Sequence, residues 1–559
     1  MRSPARLALV GALVAAALLA GAATEEAYVT LLYGDEFVLG VRVLGKSIRD
    51  TGTRRDLVVL VSDGVSDYSR KLLQADGWIV KHITLLANPN QVRPKRFWGV
   101  YTKLKIFNMT SYRKVVYLDA DTVVVKNIDD LFKCGKFCGN LKHSERMNSG
   151  VMVVEPSENV FKDMIRQIDS LPSYTGGDQG FLNSYYADFA NSRVYEPDSP
   201  STPEPETQRL STLYNADVGL YMLANKWMVD EKELRVIHYT LGPLKPWNWW
   251  TAWLVKPVGV WQDVRQTLEE SLPGTGGGRN PHNQLVVKIL FILPFFLLLM
   301  GYYQSCFQTN KELLSIRSLC AFARRTRYKY KSEEALPSNS AVGVSSSAFA
   351  NSNQRLSYGT HLKLPSYFGA ITVLACFMSA GVSVGFAFTI IPQQIMPWTG
   401  LLLMFEWTFV SFFLLFRSYL HFVCRWGSLG ANHVGYNSFD SSANHMATGM
   451  LNFLTFCRVS FFLVTKVCSI VDRHHDMSDR DMGATFYWTG MAMIAIVTVL
   501  LPTLLGVTAL FTKLGLMVAG GVVLASFMTY ASEHLAISAF YKGQRERNIS
   551  RTRSICFLF

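Results

Sequence analysis

The sequence predicts an α/β domain followed by an α-helical membrane domain. In the first half, short apolar runs rich in β-branched residues alternate with segments of helical character, a pattern typical of a mostly parallel sheet. From Leu285 onward, long apolar runs alternate with short polar segments, as in chains that cross a membrane several times. The 559 residues leave room for two or three domains.

The first 23 residues have the features of a secretory signal. A basic start with Arg2 and Arg6 precedes an apolar stretch from Leu7 to Ala20, and small residues follow it. An uncleaved anchor helix is the alternative. In either case the following domain, residues 24–271, reaches the lumen if the basic start stays in the cytoplasm.

The strands of this domain are expected in its apolar, β-rich runs. These are residues 27–33, 57–62, 115–118 and 151–154, with helices predicted at 37–49 and 101–109. Of the nine cysteines, only Cys134 and Cys138 lie between the signal and the first membrane run. In an oxidising lumen this pair can form a small disulfide. Two free thiols are the alternative, and the lack of a second Cys or His pair nearby argues against a zinc site.

The membrane domain is predicted at residues 285–540, after a Gly- and Pro-rich linker at 272–284. Each apolar run of this domain is long enough to span ~30 Å of hydrocarbon. The apolar runs are residues 285–303, 367–391, 401–420, 450–471, 484–510 and 514–540. Arg458 and Lys466 lie inside the fourth run, where an unpaired charge costs at least ~2.5 kcal/mol. The sequence therefore predicts five or six transmembrane helices.

The formal net charge of +13 suggests nucleic acid at first, but its distribution excludes that class. Residues 24–284 carry 31 Lys+Arg and 31 Asp+Glu, so the α/β domain is neutral. The basic excess lies beside the apolar runs, mainly in the loop 305–366 and the tail 541–559. Such charges are typical of cytoplasmic segments, whereas nucleic-acid binding requires a basic face on a folded domain.

The strongest local motif is an apolar strand that ends in two carboxylates, Val115-Val116-Tyr117-Leu118-Asp119-Ala120-Asp121. Strand alternation points Asp119 and Asp121 toward the same side. Paired carboxylates at a strand end suit a hard divalent cation that also holds a diphosphate. A solvated turn is the alternative, because an isolated Asp-x-Asp is common.

Three further motifs follow along the chain. Asn148 and Ser149 lie in a polar turn that leads into a strand, and they can bind sugar hydroxyls or form a plain turn. Asp178 and Gln179 follow two glycines, where the alternative is a helix start capped by Asp178. The segment VIHYTLGPLKPW, residues 236–247, offers a histidine, a glycine and a lysine on one loop, although a lone histidine is usually structural.

Together, in this order and spacing, these motifs resemble the glycogenin-like family of retaining glycosyltransferases. The opening AYVTLLYGDEFVLGVRVLGKSIRDTGTRRDLVVLVSDGVSD is also similar, so the resemblance covers about residues 27–250. It implies a GT-A, Rossmann-like catalytic domain, a UDP-sugar donor and Mn²⁺ or another divalent cation as cofactor.

The resemblance also implies roles for individual residues. The metal ligands would be Asp119, Asp121 and His238, and the nucleotide would contact Leu31 and the backbone of Ala120. The implied contacts to donor phosphate or sugar are Lys103, Asn148, Ser149, Asp178, Gln179, Gly242, Lys245 and one arginine, for which Arg96 and Arg93 both fit. Of these, Asp178, Gln179 and Lys245 are the implied catalytic residues.

The sequence departs from the family pattern at three places. Tyr33-Gly34-Asp35 replaces Thr-Asn-Asp, so the base and ribose contacts are expected to differ. Thr175 stands where an acid often precedes Gly-Gly-Asp-Gln, so one sugar contact that the resemblance implies is not assured here. The gap of four from His238 to Gly242, instead of three, requires the loop to bulge by one residue.

A lumenal domain of this type followed by several spans resembles the plant inositol phosphorylceramide glucuronosyltransferases. This resemblance implies transfer of glucuronic acid from UDP-glucuronate to the inositol headgroup of a sphingolipid in the Golgi membrane, and it favours six spans. Lys142 and Arg146 are candidates to bind the glucuronate carboxylate. A tryptophan-rich segment just before the linker can rest on the bilayer or pack in the core; its members are Trp247, Trp249, Trp250, Trp253 and Trp261.

Two other functions are compatible with the sequence. One is a UDP-glucose or UDP-glucuronate transferase that acts on a polysaccharide or protein, as glycogenin does. The other is a transporter or scaffold with a lumenal sugar-binding domain. The intact set of Asp119, Asp121, His238 and Lys245 argues against the non-enzyme.

Overall fold

A computed structural model of the protein describes residues 25–88, 99–142, 145–198, 203–271, 284–297, 299–300, 364–429 and 478–555. The signal, most of the linker and of the loop 305–366, the run 450–471, Arg93 and Arg96 lie outside these residues. The chain divides into two units. Unit 1 is Met1–Asn283 with Gln393–Gly400 and Leu505–Leu514, and unit 2 is Gln284–Pro392, Leu401–Leu504 and Gly515–Phe559.

Unit 1 is built on a seven-stranded sheet with the order β3-β2-β1-β4-β7-β6-β8. The strands are β1 (Glu26–Leu32), β2 (Asp56–Val61), β3 (Ile79–His82), β4 (Lys114–Leu118), β6 (Phe137–Leu141), β7 (Met147–Val154) and β8 (Thr207–Leu210). Pairing is parallel except where β7 meets β4 and β6. The sheet is therefore mixed but mostly parallel, as predicted. β7 runs in reverse because it forms a hairpin with β6, at whose end the Lys142 N–H donates to the Arg146 carbonyl at 2.9 Å.

The strands are apolar on both faces because cores lie on both sides of the sheet. Successive residues of β1 alternate between them, with Tyr28 in one core and Val29 in the other.

The unit 1 helices are α1 (Val38–Asp50), α2 (Asp67–Ala75), α3 (Glu158–Gln167), α4 (Asp178–Tyr185), α5 (Val218–Ala224), α6 (Thr251–Leu254) and α7 (Val258–Glu270). The helix predicted at 101–109 is a 3-10 helix, Val100–Asn108.

A second, three-stranded sheet has the order β5-β10-β9, with β5 at Thr122–Val124, β9 at Ala216–Asp217 and β10 at Val236–His238. β5 follows β4 after three residues and pairs antiparallel with β10. This small sheet brings a late part of the chain to the end of β4.

The cysteine and tryptophan alternatives are decided by the structure. Cys134 and Cys138 form a disulfide. Trp247, Trp249 and Trp261 are buried, and Trp247 and Trp261 belong to a core with Val43 and Val123 beneath the small sheet. The interpretation of these three tryptophans as a membrane-resting belt was wrong, because their rings are buried in unit 1. Trp247 and Trp261 fill the space between α1, α7 and the small sheet, and Trp249 packs beside Gly400.

Unit 1 includes two short segments from the second half of the chain. Several hydrogen bonds join the first segment to the body of the unit: for example, Gln394 Nε2 donates to the Glu36 carbonyl at 2.7 Å, and Arg265 donates to the Gln394 carbonyl at 2.8 Å. The second segment is joined by Asn225 Nδ2, which donates to Thr508 Oγ1 at 3.1 Å, and by Lys513, which donates to the Trp253 carbonyl at 3.0 Å. Unit 1 is thus discontinuous in sequence.

The rest of the described chain is helical. The helices are α8 (Gln284–Leu297), α9 (Phe368–Ile390), α10 (Pro397–Leu429), α11 (Ser478–Leu504) and α12 (Leu510–Ile555). Within the described residues, four stretches are long and apolar enough to cross a membrane: Phe368–Ile390, Pro397–Ser428, Gly483–Leu504 and Leu510–Arg545. These correspond to four of the predicted runs, and α8 covers most of a fifth.

Candidate active site

The two carboxylates of the Asp-x-Asp motif lie where β4 passes into β5. The Asp119 N–H donates to the Gly150 carbonyl of β7 at 2.9 Å, which extends the main sheet by one residue. Thr122 then donates twice to the Asp119 carbonyl, from its N–H at 3.0 Å and from its hydroxyl at 2.7 Å. These bonds hold the turn in one conformation and start β5.

His238 reaches the carboxylates through strand register. It is the last residue of β10 and is paired with Thr122 of β5. Its Nε2 lies 3.4 Å from Asp121 Oδ1 and 3.9 Å from Asp119 Oδ2. The three side chains offer one ligand atom each, all within 4.8 Å of one another. The structure therefore brings together the three residues that the sequence predicted as metal ligands.

The carboxylates of this cluster provide negative charge that a bound cation can balance. Burial raises the pKa of Asp121, but His238 and Lys245 outweigh it and hold that pKa well below its ordinary value. Lys245 Nζ contacts Asp121 Oδ2 at 2.5 Å and the Tyr239 carbonyl at 3.0 Å. Two carboxylates, one imidazole nitrogen and a nearby ammonium group suit a divalent cation that accepts oxygen and nitrogen ligands, such as Mn²⁺.

A second cluster lies beside the first and is centred on Lys103. This buried ammonium group contacts Asp119 Oδ1 at 3.0 Å, Asp178 Oδ2 at 3.1 Å and the Ser149 hydroxyl at 3.2 Å. Burial lowers the pKa of Lys103, but the two carboxylates outweigh it and raise the pKa above its ordinary value. Lys103 therefore stays charged and joins the Asp-x-Asp turn to the start of α4.

The Asp178 carboxylate does not cap α4. It accepts a hydrogen bond from the Ser149 hydroxyl at 2.8 Å and points at Lys103, whereas the Thr175 hydroxyl accepts from the N–H groups of Gly177 and Gly180. Thr175 thus takes over the helix start and leaves Asp178 for the site. Gln179 Oε1 accepts from Asn148 Nδ2 at 3.1 Å, and Gln179 Nε2 donates to the Tyr174 hydroxyl at 3.0 Å.

Residues 28–136 match the family model for glycosyl transferase family 8. Inositol phosphorylceramide glucuronosyltransferase 1 of Arabidopsis thaliana is 57% identical over 545 residues, which cover 96% of this chain and 95% of that protein. The chain belongs to glycosyl transferase family 8.

Two other relatives align with a smaller part of this family 8 enzyme. UDP-glucuronate:xylan alpha-glucuronosyltransferase 1 of Arabidopsis thaliana is 37% identical over 163 residues, 29% of this chain and 25% of that protein. Glycogenin-1 of Mus musculus is 32% identical over 241 residues, 40% of this chain and 66% of that protein. The mixed sheet together with the family match confirms the predicted GT-A fold. Membership of family 8 confirms the predicted retaining glycosyltransferase activity.

The remaining predicted site residues of the family 8 enzyme differ in burial and lie on separate elements. Leu31 is buried near the end of β1, Ala120 is half-buried in the Asp-x-Asp turn, and Gly242 is exposed on the loop that returns Lys245 to Asp121. The Asp35 carboxylate, one of the departures from the family pattern, accepts from the Ser66 N–H at 3.0 Å.

One buried polar residue of the site escaped sequence reasoning. Asn215 precedes β9, is fully buried and contacts both His238 and Asn148. Its partners lie 23 and 67 residues away along the chain, so no local pattern marks it. The only signal in the sequence was a polar residue beside an apolar segment, which is too common to be specific.

Proposed function

We propose that this enzyme transfers glucuronic acid from UDP-glucuronate to the inositol headgroup of inositol phosphorylceramide. The observation that carries the proposal is the extent of its similarity to inositol phosphorylceramide glucuronosyltransferase 1, which covers 96% of this chain. The xylan enzyme and glycogenin-1 align with only 29% and 40% of it. Similarity that extends through the membrane helices supports a lipid acceptor rather than a glucan or xylan.

The proposed metal site consists of Asp119, Asp121 and His238. A divalent cation such as Mn²⁺, when bound there, would stabilise the negative charge that grows on UDP as its bond to the sugar C1 breaks. Lys245, beside Asp121, would add a positive charge to the same place. His238 would bind through Nε2, which already faces both carboxylates.

The donor sugar would lie against Asn148, Ser149, Asp178 and Gln179. Lys103 and Ser149 hold the Asp178 carboxylate in place, and Asn148 holds the Gln179 amide. Side chains fixed in this way supply catalysis by positioning, because they need no reorganisation as the sugar becomes cationic. The acceptor hydroxyl would attack on the face that UDP leaves, which retains the configuration at C1.

Of the two candidate partners for the glucuronate carboxylate, we favour Arg146. Lys142 Nζ is engaged by the Asn215 carbonyl at 2.8 Å and lies 3.6 Å from Asp217. The Arg146 guanidinium is exposed and stacks on the Tyr174 ring at 4.0 Å, and it has no carboxylate partner among the described residues. Tyr174 in turn contacts Gln179, so Arg146 borders the proposed sugar site.

We propose that the catalytic domain faces the lumen of the Golgi. The Cys134–Cys138 disulfide supports an oxidising compartment. The connections Gln393–Gly400 and Leu505–Leu514 belong to unit 1, so they share a side with the catalytic domain. Because a span ends opposite to where it starts, the tail after α12 would be cytoplasmic. This arrangement gives five spans rather than six and agrees with the basic tail.

The proposal is tested with microsomes that contain the wild-type enzyme or its Asp121→Asn variant. UDP-glucuronate, UDP-glucose and UDP-galactose are each offered with inositol phosphorylceramide, with xylan and with a soluble glucan. We expect a glucuronosylated lipid from UDP-glucuronate alone, and no product from the variant. Efficient transfer to xylan or glucan without a lipid product would refute the acceptor, and preference for UDP-glucose would refute the donor.

A further inference from the structure

We propose that Asn215 is a positioning residue that sets the metal-binding side and the sugar-binding side of the site at the same time. One end of its amide orients His238, and the other end orients Asn148 and, through it, Gln179. The inference rests on the metal role proposed above, and it concerns a residue that contacts neither the proposed metal-ligating atoms nor the donor sugar itself but the residues that hold them.

The Asn215 side chain lies between the two halves of the site. Its Oδ1 is 2.9 Å from His238 Nδ1, and its Nδ2 donates to Asn148 Oδ1 at 2.9 Å. The residue has no exposed surface, so water cannot replace either bond. A buried amide of this kind is costly unless both of its ends are paired, which ties its orientation to these two partners.

Lys142 decides which end of the amide faces His238. The Lys142 ammonium group can only donate, and it lies 3.3 Å from Asn215 Oδ1 and 2.8 Å from the Asn215 carbonyl oxygen. The side-chain oxygen must therefore face Lys142 and His238. It follows that His238 Nδ1 carries the hydrogen and that the Nε2 lone pair is directed at Asp119 and Asp121, the tautomer that a metal ligand requires.

The other end of the amide fixes the sugar-binding side. Asn148 Oδ1 accepts from Asn215 Nδ2 and also from the Gly150 N–H at 3.0 Å, so Asn148 Nδ2 must point away toward Gln179. Gln179 Oε1 accepts that bond, which leaves Gln179 Nε2 to donate to the Tyr174 hydroxyl. The directions of the hydrogen bonds from Lys142 to Tyr174 are therefore mutually consistent, with the Lys142 ammonium group at one end and the Gly150 N–H supporting Asn148.

Two substitutions separate the two ends of the amide. Asn215→Asp keeps oxygens toward His238 and Lys142 but loses the N–H that binds Asn148. Asn215→Leu has a similar volume and loses both. Asn127→Asp, at an exposed position of the same unit, introduces the same charge change as a control. Full-length proteins in detergent are compared by Mn²⁺ titration followed by electron paramagnetic resonance, by thermal unfolding, and by donor kinetics at saturating Mn²⁺.

Asn215→Leu should weaken Mn²⁺ binding by ~10–100-fold, because outer-shell partners of a histidine ligand have effects of that size. Asn215→Asp should keep the Mn²⁺ affinity within about threefold while kcat for UDP-glucuronate falls about tenfold or more. Asn127→Asp should behave as wild type.

A merely structural role predicts equal loss of both properties in Asn215→Asp, and that result would overturn the inference. So would wild-type behaviour of both properties in this variant, or an unchanged Mn²⁺ affinity in Asn215→Leu. If the leucine variant does not fold, the aspartate variant alone decides. If the wild-type protein bound no Mn²⁺, both the proposed metal role and this inference would be overturned. If the wild-type protein bound Mn²⁺ but neither Asn215 variant changed its affinity or kcat, only this inference would be overturned.

Discussion

Gly150 has no room for a side chain, because the His238 imidazole lies directly over its α-carbon. A Cβ added at Gly150 would be 2.1 Å from His238 Cε1, 2.6 Å from His238 Nδ1 and 3.0 Å from Asn148 Oδ1. Gly150 lies in the middle of β7, whose residues on either side of it pair with β4 and β6, and its carbonyl accepts from the Asp119 N–H at 2.9 Å. The strand resists displacement more strongly than the ring, so Gly150→Ala should move His238.

The size of that movement follows from ordinary contact distances. Carbon atoms pack at about 3.5 Å, so the ring must shift by roughly 1.4 Å. A shift of that size breaks the 2.9 Å bond between His238 Nδ1 and Asn215, and it exceeds the ~0.2 Å tolerance of metal–ligand distances. We expect Mn²⁺ affinity to fall ~10–100-fold, kcat/KM to fall about 100-fold, and stability to fall by ~1–3 kcal/mol from overpacking.

The measurements are a Mn²⁺ titration, donor kinetics and thermal unfolding of the full-length protein. Gly259→Ala, in the first turn of α7, is the matched control, because a Cβ there meets no atom within 4 Å. It should leave Mn²⁺ affinity and donor kinetics unchanged and raise stability by up to about 1 kcal/mol, because alanine favours a helix over glycine. If Gly150→Ala kept Mn²⁺ affinity and turnover within about twofold of wild type, His238 would not be the metal ligand.

Three further results are expected. Asp121→Asn should express and localise normally but lose transfer, because it removes a charged oxygen from the proposed metal site; near-normal turnover in the variant, or in chelator-treated enzyme, would contradict the mechanism. Arg146→Gln should raise the KM for UDP-glucuronate about tenfold and leave the KM for UDP-glucose nearly unchanged, since only the former has a carboxylate to bind. Equal effects on both donors would exclude Arg146 as the selective residue. An epitope at the C-terminus should be digested by protease in sealed microsomes, and Asn548, which lies in the glycosylation sequon Asn548-Ile-Ser550, should carry no glycan; a protected or glycosylated tail would rule out five spans.

The central part of the fold was predictable from the sequence because burial on both faces leaves a strong pattern. β1, β2, β4 and the later half of β7 are apolar runs, and the structure has them within a residue or two of the predicted bounds. β6 and β8, with the sequences FCGNL and TQRL, lack such runs. They become strands because the β6–β7 hairpin and pairing with β6 supply their hydrogen bonds, and those contacts have no local signature.

The site divides in the same way. Asp119 and Asp121 are recognisable because they directly follow an apolar strand. Their place beside His238 follows from the family's motif order. The hydrogen bonds that orient these groups are long-range, so neither Asn215 nor the role of Lys142 could be predicted. Lys142 was predicted as a carboxylate partner, which stays untested, but its contacts are to Asn215 and Asp217.

The discontinuity of unit 1 constrains how the protein can be made. Arg265, Trp249 and Trp253 find backbone partners in Gln394, Gln393 and Pro397, and Lys513 donates to the Trp253 carbonyl. A ribosome adding 5–20 residues per second needs roughly 10–50 s to pass from the end of α7 to the last of these partners. During that time the catalytic domain lacks these contacts. Its maturation is therefore timed by membrane insertion, and a chain whose later helices insert wrongly should be retained as an unfinished enzyme.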